Sequence, residues 1–178
     1  GRAFAEELMT VPDLVGDYLA RDIDIDPVVE WIRTCRSVLF LGRGLSAAVA
    51  AEGALKLMEL AYVPCLSYPS GEMKHGPIAL LEEGSPVIVI APEDEVRDKT
   101  LSNLQECRAR GARVALIHTE GDPIARHADV SISVPRTSRW FTPFLTVLPL
   151  QLLAYRTALS MGRDIDRPRN LAKSVTVE

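Results

Sequence analysis

Apolar residues recur every three or four positions across residues 4–19, the period of a helix with one buried face, and the rhythm returns over 27–35, where Pro27 suits a first-turn position. These read as lead-in helices. The pattern then changes: residues 37–41 form a short apolar run that stops at Gly42-Arg43-Gly44 and passes directly into a helical pattern over 46–60. That is a strand, a glycine turn and a helix. Further runs at 64–68, 86–91, 113–118 and 130–134 predict strands, with helices over 95–110, stopped by Gly111, and over 144–161. Strands that are apolar throughout, rather than alternating, are buried on both faces. Separated by helices, they predict an α/β fold: a three-layer sandwich with a mostly parallel, doubly wound sheet.

The last stretch, 163–178, departs from this pattern because Asp164, Asp166, Arg167, Pro168 and Arg169 suit neither a helix nor another strand, and it reads as an extended tail. The expected division is therefore lead-in helices over 1–36, one α/β domain over 37–162 and a tail over 163–178. A chain of 178 residues, 47% hydrophobic and 25% charged, fits one globular domain with a real core. A net charge of −4 gives no cationic field to hold a nucleic-acid backbone. No apolar run reaches bilayer length and the first seven residues lack a signal-peptide pattern, so a cytoplasmic protein is expected, neither embedded nor secreted. Cys35, Cys65 and Cys107 lie far apart, without zinc or redox spacing, and no His/Cys/carboxylate cluster has ligand spacing. Gly42-Arg43-Gly44 lacks the third glycine and the later acid of a dinucleotide fingerprint. Neither a metal nor an organic cofactor is expected.

Three segments carry candidate chemistry. Glu52, Lys56 and Glu59 recur at four- and three-residue spacing and share one helical face. That face reads either as solvated ion pairing or as a site in which Glu59 moves a proton while Lys56 tunes it or meets a substrate oxygen. The segment Pro69-Ser70-Gly71-Glu72-Met73-Lys74-His75-Gly76-Pro77 reads as a loop, and its His75 is either a proton-exchanging group or a surface turn residue. Lys173, close to the end, is a solvated charge or, folded into a pocket, a Schiff-base nucleophile.

Taken together, Leu41-Gly42-Arg43-Gly44 leading to Glu52-Gly53-Ala54-Leu55-Lys56, then Gly71-Glu72-Met73-Lys74-His75-Gly76-Pro77, then Pro168-Arg169-Asn170-Leu171-Ala172-Lys173-Ser174-Val175-Thr176-Val177-Glu178, closely resemble the glucosamine-6-phosphate synthases. The resemblance runs from about residue 38 to the last residue and implies the second of two tandem sugar isomerase (SIS) domains that follow a glutaminase domain. It further implies that Glu59 shuttles a proton between C1 and C2 of the sugar phosphate, that His75 assists ring opening in the site of a neighbouring subunit, and that Lys173 forms a Schiff base with fructose 6-phosphate. Lys56 matches a lysine beside the base. Glu52, Arg169, Asn170, Ala172 and Ser174 become substrate-binding candidates, and residues 169–174 a tail closing over the substrate and the ammonia route.

The implied partners are fructose 6-phosphate or glucosamine 6-phosphate, the first SIS and glutaminase domains, and a second copy in a homodimer. The implied reaction converts fructose 6-phosphate and glutamine to glucosamine 6-phosphate and glutamate. The family's serine- and threonine-rich phosphate cradle is not matched, because the loop after the 86–91 strand reads Pro92-Glu93-Asp94-Glu95, which would repel phosphate. Two other readings are a non-catalytic sugar-phosphate-binding SIS module and a fructosamine-6-phosphate deglycase.

Overall fold

The structure is a computed structural model that describes residues 1–171. Its elements are α1 (Arg2–Leu19), α2 (Asp26–Thr34), β1 (Val38–Gly42), α3 (Leu45–Ala61), β2 (Cys65–Pro69), β3 (Pro86–Ile90), α4 (Arg97–Arg108), β4 (Arg113–Thr119), β5 (Val130–Val134) and α5 (Thr142–Ser160), with short 3-10 helices at Ser70–His75, Pro77–Leu80 and Pro123–His127. The sheet is five-stranded, in the order β2-β1-β3-β4-β5, and every described pairing is parallel. The order reverses between β1 and β3, the switch point of a doubly wound sheet.

Why the central strands β1, β3 and β4 read as nearly unbroken apolar runs is visible in the two cores, whereas the edge strands β2 and β5 are only partly buried. Val38, Phe40, Ile88, Ile90, Ala115 and Ile117 face the layer built from α2, α3 and α5, with Tyr18 of α1 at its margin. The alternate residues Leu39, Leu41, Val87, Val89, Val114 and Leu116 face Leu104 and Cys107 of α4, together with Met73 and Ile124. Each such side chain, taken wholly from water, contributes about 1.5–3 kcal/mol, so both faces had to be apolar. The lead-in helices share this core rather than standing off from it.

Two glycines set close approaches. A Cβ on Gly42 would lie 2.2 Å from the Ser46 carbonyl oxygen, so the turn from β1 into α3 admits no side chain. A Cβ on Gly53 would lie 2.6 Å from Leu150 Cδ1, and its absence lets α3 pack closely on α5. At the carboxyl end of β4, the fully buried Asp122 accepts two hydrogen bonds from Arg97, at 2.8 and 3.0 Å, and one from the Ile124 N–H at 2.9 Å, fixing the start of α4 against the Pro123–His127 helix. No helix among the described residues is long and apolar enough to cross a membrane.

Two expectations need correction. The segment read as an irregular loop at 69–77 contains two turns of 3-10 helix, because Met73, which is completely buried, plugs the α4 side of the sheet and its Sδ lies 3.8 Å from the thiol of Cys107. The helix expected over 95–110 is shorter, Arg97–Arg108, because the Asp94 carboxylate accepts from the Val96 N–H at 2.9 Å and holds the chain in a turn before the helix begins.

Candidate functional site

Helix α3 starts at the switch point and runs back along the sheet, ending at Tyr62. Near that end Lys56 donates to Glu59 at 2.6 Å and lies 3.7 Å from Glu52, so the three predicted side chains do meet on one face. Lys56 and Glu59 are about one-third exposed, at 32% and 28%, which leaves Glu59 held in place yet open to solvent. The hydrogen bond that Lys56 donates to Glu59 pushes its ammonium above its ordinary pKa, burial opposes this, and the Glu59 and Glu52 charges add to the rise. Lys56 is therefore a fixed positive charge near neutral pH, suited to orienting a carboxylate and unsuited to nucleophilic attack.

His75 lies elsewhere. It ends the Ser70–His75 helix beyond the carboxyl end of β2, its ring is 76% exposed, and its nearest acid is Glu72 at 3.9 Å. Glu59 lies 14 residues along α3 from Leu45, a rise of about 21 Å away from the carboxyl ends of the strands. The fold thus places Glu59 and His75 at opposite ends of the β1–β2 side of the domain and does not bring them together within one chain. Arg169 and Asn170, by contrast, lie at the Glu59 end: the Arg169 N–H donates to the Tyr62 hydroxyl at 2.8 Å. Ala172, Lys173 and Ser174 lie outside the described residues.

At the switch point a cleft of about 50 Å³ is walled by Gly44, Ser46, Asp94, Glu95, Arg139 and Thr142. Ligand pockets for small molecules are usually some 300–1,000 Å³, so this cleft is too small to seat a sugar phosphate. The acids of the 92–95 loop are countered by the segment before α5, with Arg136 on Glu93 and Arg139 on Glu95. Burial lifts the Asp94 carboxyl above the usual carboxylate value, and the neighbouring Glu95 charge adds to it. A roomier groove of about 640 Å³ lies at the opposite, amino-terminal ends of the strands, lined by Trp31, Arg36, Glu83 and Arg113 among others. Neither hollow includes Glu59 or His75.

The thiols offer no competing chemistry: burial pushes Cys65 up to about 12 and Cys107 up to about 11, and raises Cys35 as well. Among the described residues no group of three His, Cys, Asp or Glu side chains stands together as metal ligands.

Residues that the sequence did not single out complete the picture. Tyr62 closes α3 in a left-handed conformation, and Arg136 and Arg139 neutralise the acidic loop. The signal for Tyr62 was its place just past a long helix, where glycine is the usual residue.

The SIS domain family model matches residues 31–161. Glutamine–fructose-6-phosphate aminotransferases (isomerizing) of Thermus thermophilus and Aquifex aeolicus are 51% and 48% identical to 97% and 96% of the chain, which covers 29% of each relative. The C-terminal domain of glucosamine-fructose-6-phosphate aminotransferase from Francisella tularensis has the same fold, with a TM-score of 0.85 and 38% identity over 93% of this chain and 47% of that one. The chain therefore spans under a third of the length of these curated relatives and about half of that solved domain.

Proposed function

The chain belongs to the SIS domain family, and from that premise we propose that it is the sugar-isomerising portion of a glutamine–fructose-6-phosphate aminotransferase, forming glucosamine 6-phosphate for hexosamine synthesis. The observation that carries this is the Glu59 carboxylate, gripped by Lys56 at 2.6 Å on an accessible helix face, one turn before the residue that holds the tail leading to Lys173. Isomerising a ketose needs a base beside the carbonyl carbon and an amine that can condense with it.

The chain has four lysines, Lys56, Lys74, Lys99 and Lys173. Lys56 is kept protonated by Glu59, and Lys74 lies 2.8 Å from Glu106. Lys99 is on α4, away from the Glu59 face. Lys173 is the amine we assign to the carbonyl, as the resemblance of residues 168–178 to the glucosamine-6-phosphate synthases implies. It adds to C2 of open-chain fructose 6-phosphate, water leaves, and the resulting imine is exchanged for ammonia derived from glutamine. Glu59 then takes a proton from C1 to give an enolamine and returns a proton to C2, while the C1 hydroxyl loses its proton and becomes the aldehyde. Glu52, Arg169, Asn170, Ala172 and Ser174 would contact the substrate around these atoms.

His75, remote from Glu59 in its own chain, would serve the site of a second copy in a homodimer. Leu55 and Met58, three residues apart on α3 and each about 40% exposed, support such a partner. The switch-point cleft, too small for a sugar phosphate and with Glu95 already paired to Arg139, supports a phosphate grip supplied by a first SIS domain, and a glutaminase domain would supply ammonia. In this reading residues 1–36 lead in, 37–162 form the second SIS domain and 163–178 the active-site tail. Three free thiols are consistent with the cytoplasm.

The reading is tested by comparing this chain alone with the longer enzyme. The isolated chain is expected to fold and to convert fructose 6-phosphate at a negligible rate, whereas the longer enzyme makes glucosamine 6-phosphate from it with ammonia. Robust isomerisation of fructose 6-phosphate by the chain alone would contradict the shared site.

A further inference from the structure

Two non-glycine residues have left-handed backbone among those described, Tyr62 and Asn170, and both lie at one junction. Tyr62 ends α3 with φ 62° and ψ 29°, a conformation in which a Cβ is crowded and glycine is favoured. Keeping a tyrosine there calls for a use of its side chain. That side chain is engaged on three sides: its hydroxyl accepts the Arg169 N–H at 2.8 Å, the Arg169 guanidinium stands 4.2 Å from its ring centroid, and the Arg163 guanidinium stands 5.3 Å from it. Cations over an aromatic face are attracted by its electron density. Asn170, with φ 62°, then turns the chain immediately after the held residue.

We propose that Tyr62 is a positioning residue that anchors the carboxyl-terminal tail beside Glu59, with Arg163 as the second clasp on its ring; the catalytic consequence rests on the reading given under Proposed function. Tyr62 follows Glu59 by three residues, an axial rise of about 4.5 Å along α3. Lys173 follows Arg169 by four residues, a reach of at most about 14 Å in extended chain. Fixing residue 169 on Tyr62 therefore sets the starting point of the chain that leads to Lys173 at the end of α3 that carries Glu59; in the proposed reaction the proton acceptor and the carbonyl-binding amine act on adjacent carbons. The anchor supplies proximity at the moment the substrate arrives and touches no reacting atom itself.

The left-handed backbone provides a test that separates anchoring from folding. Tyr62→Gly suits the φ of the position, so its thermal midpoint should stay near that of the parent while the clasp is gone. Tyr62→Phe keeps the ring that both arginines contact and loses one hydrogen bond. Trypsin reports tail release at Arg169-Asn170, since Pro168 protects the bond after Arg167. In this chain, Tyr62→Gly should be cut there roughly fivefold faster or more, with Tyr62→Phe between it and the parent.

In the longer enzyme, borohydride trapping of fructose 6-phosphate on Lys173 should slow roughly tenfold or more in Tyr62→Gly and recover largely in Tyr62→Phe. Unchanged cleavage in Tyr62→Gly would overturn the anchor, and faster cleavage with unchanged trapping would overturn its positioning role. An unsubstituted enzyme that traps nothing would count against the function reading instead, and the cleavage ratio would still decide the anchor.

Discussion

Replacing Glu59 with glutamine removes the proton acceptor while keeping its shape. The loss in stability is bounded by the geometry: the Lys56–Glu59 pair lies at 2.6 Å but is about one-third exposed, and pairs of this kind are worth about 1 kcal/mol or less. Glutamine still offers a carbonyl oxygen to Lys56, so the midpoint should fall by no more than roughly 2–4 °C for a chain of this size. A positioned general base contributes about 10²–10⁴-fold, so kcat in the longer enzyme should fall by that factor, or about 3–5 kcal/mol of barrier. The assay is steady-state formation of glucosamine 6-phosphate from fructose 6-phosphate with ammonia as nitrogen donor, beside thermal unfolding of the same variant. Trapping at Lys173 precedes the proton transfer and should persist. A kcat within tenfold of the parent, with the midpoint unmoved, would refute the assignment of Glu59 as the base.

If His75 serves the neighbouring copy, Glu59→Gln and His75→Ala chains, each nearly inactive alone, should regain roughly a quarter of parental activity when mixed and allowed to exchange, because half of randomly paired dimers are mixed and each mixed dimer keeps one intact site. No recovery despite verified exchange would place both residues in one chain's site. At the other end of the molecule, the Glu7 carboxylate accepts from the Ser138 N–H at 2.7 Å and the Thr137 hydroxyl at 2.9 Å; the Ser138 backbone bond holds its pKa below 4.5, with burial opposing. A depressed carboxylate stabilises the fold above its unfolded value and ceases to do so as pH falls through its folded value. The denaturant midpoint of the parent should therefore exceed that of Glu7→Gln at pH 6 and converge with it below pH 4.5; a gap independent of pH would contradict this.

The central strands β1, β3 and β4 were legible because burial on both faces leaves a strong trace, and the edge strand β5 because Val130, Ile132 and Val134 alternate with serines. The strand at 130–134 is bounded as expected, and β1 is shifted by one residue from its apolar run because Gly42 still pairs with β2 and β3. Local chemistry that depends on one face, such as Glu52, Lys56 and Glu59 on α3, was equally readable, since helical period alone brings those residues together. Contacts between distant segments were not: nothing local marks Glu7 as the partner of Thr137 and Ser138, or Tyr62 as the seat of Arg169. The short helix at Ser70–His75 was hidden by its flanking glycine and prolines, although Met73 in an otherwise polar segment was the available sign that it is pinned to the core.

Borohydride reduction of the longer enzyme in the presence of fructose 6-phosphate, followed by mass analysis of peptides covering all four lysines, tests the central claim most directly. A sugar-phosphate adduct on Lys173, abolished in Lys173→Ala and retained in Glu59→Gln, is the expected result. An adduct confined to Lys56, Lys74 or Lys99, or none while glucosamine 6-phosphate is still formed, would contradict it.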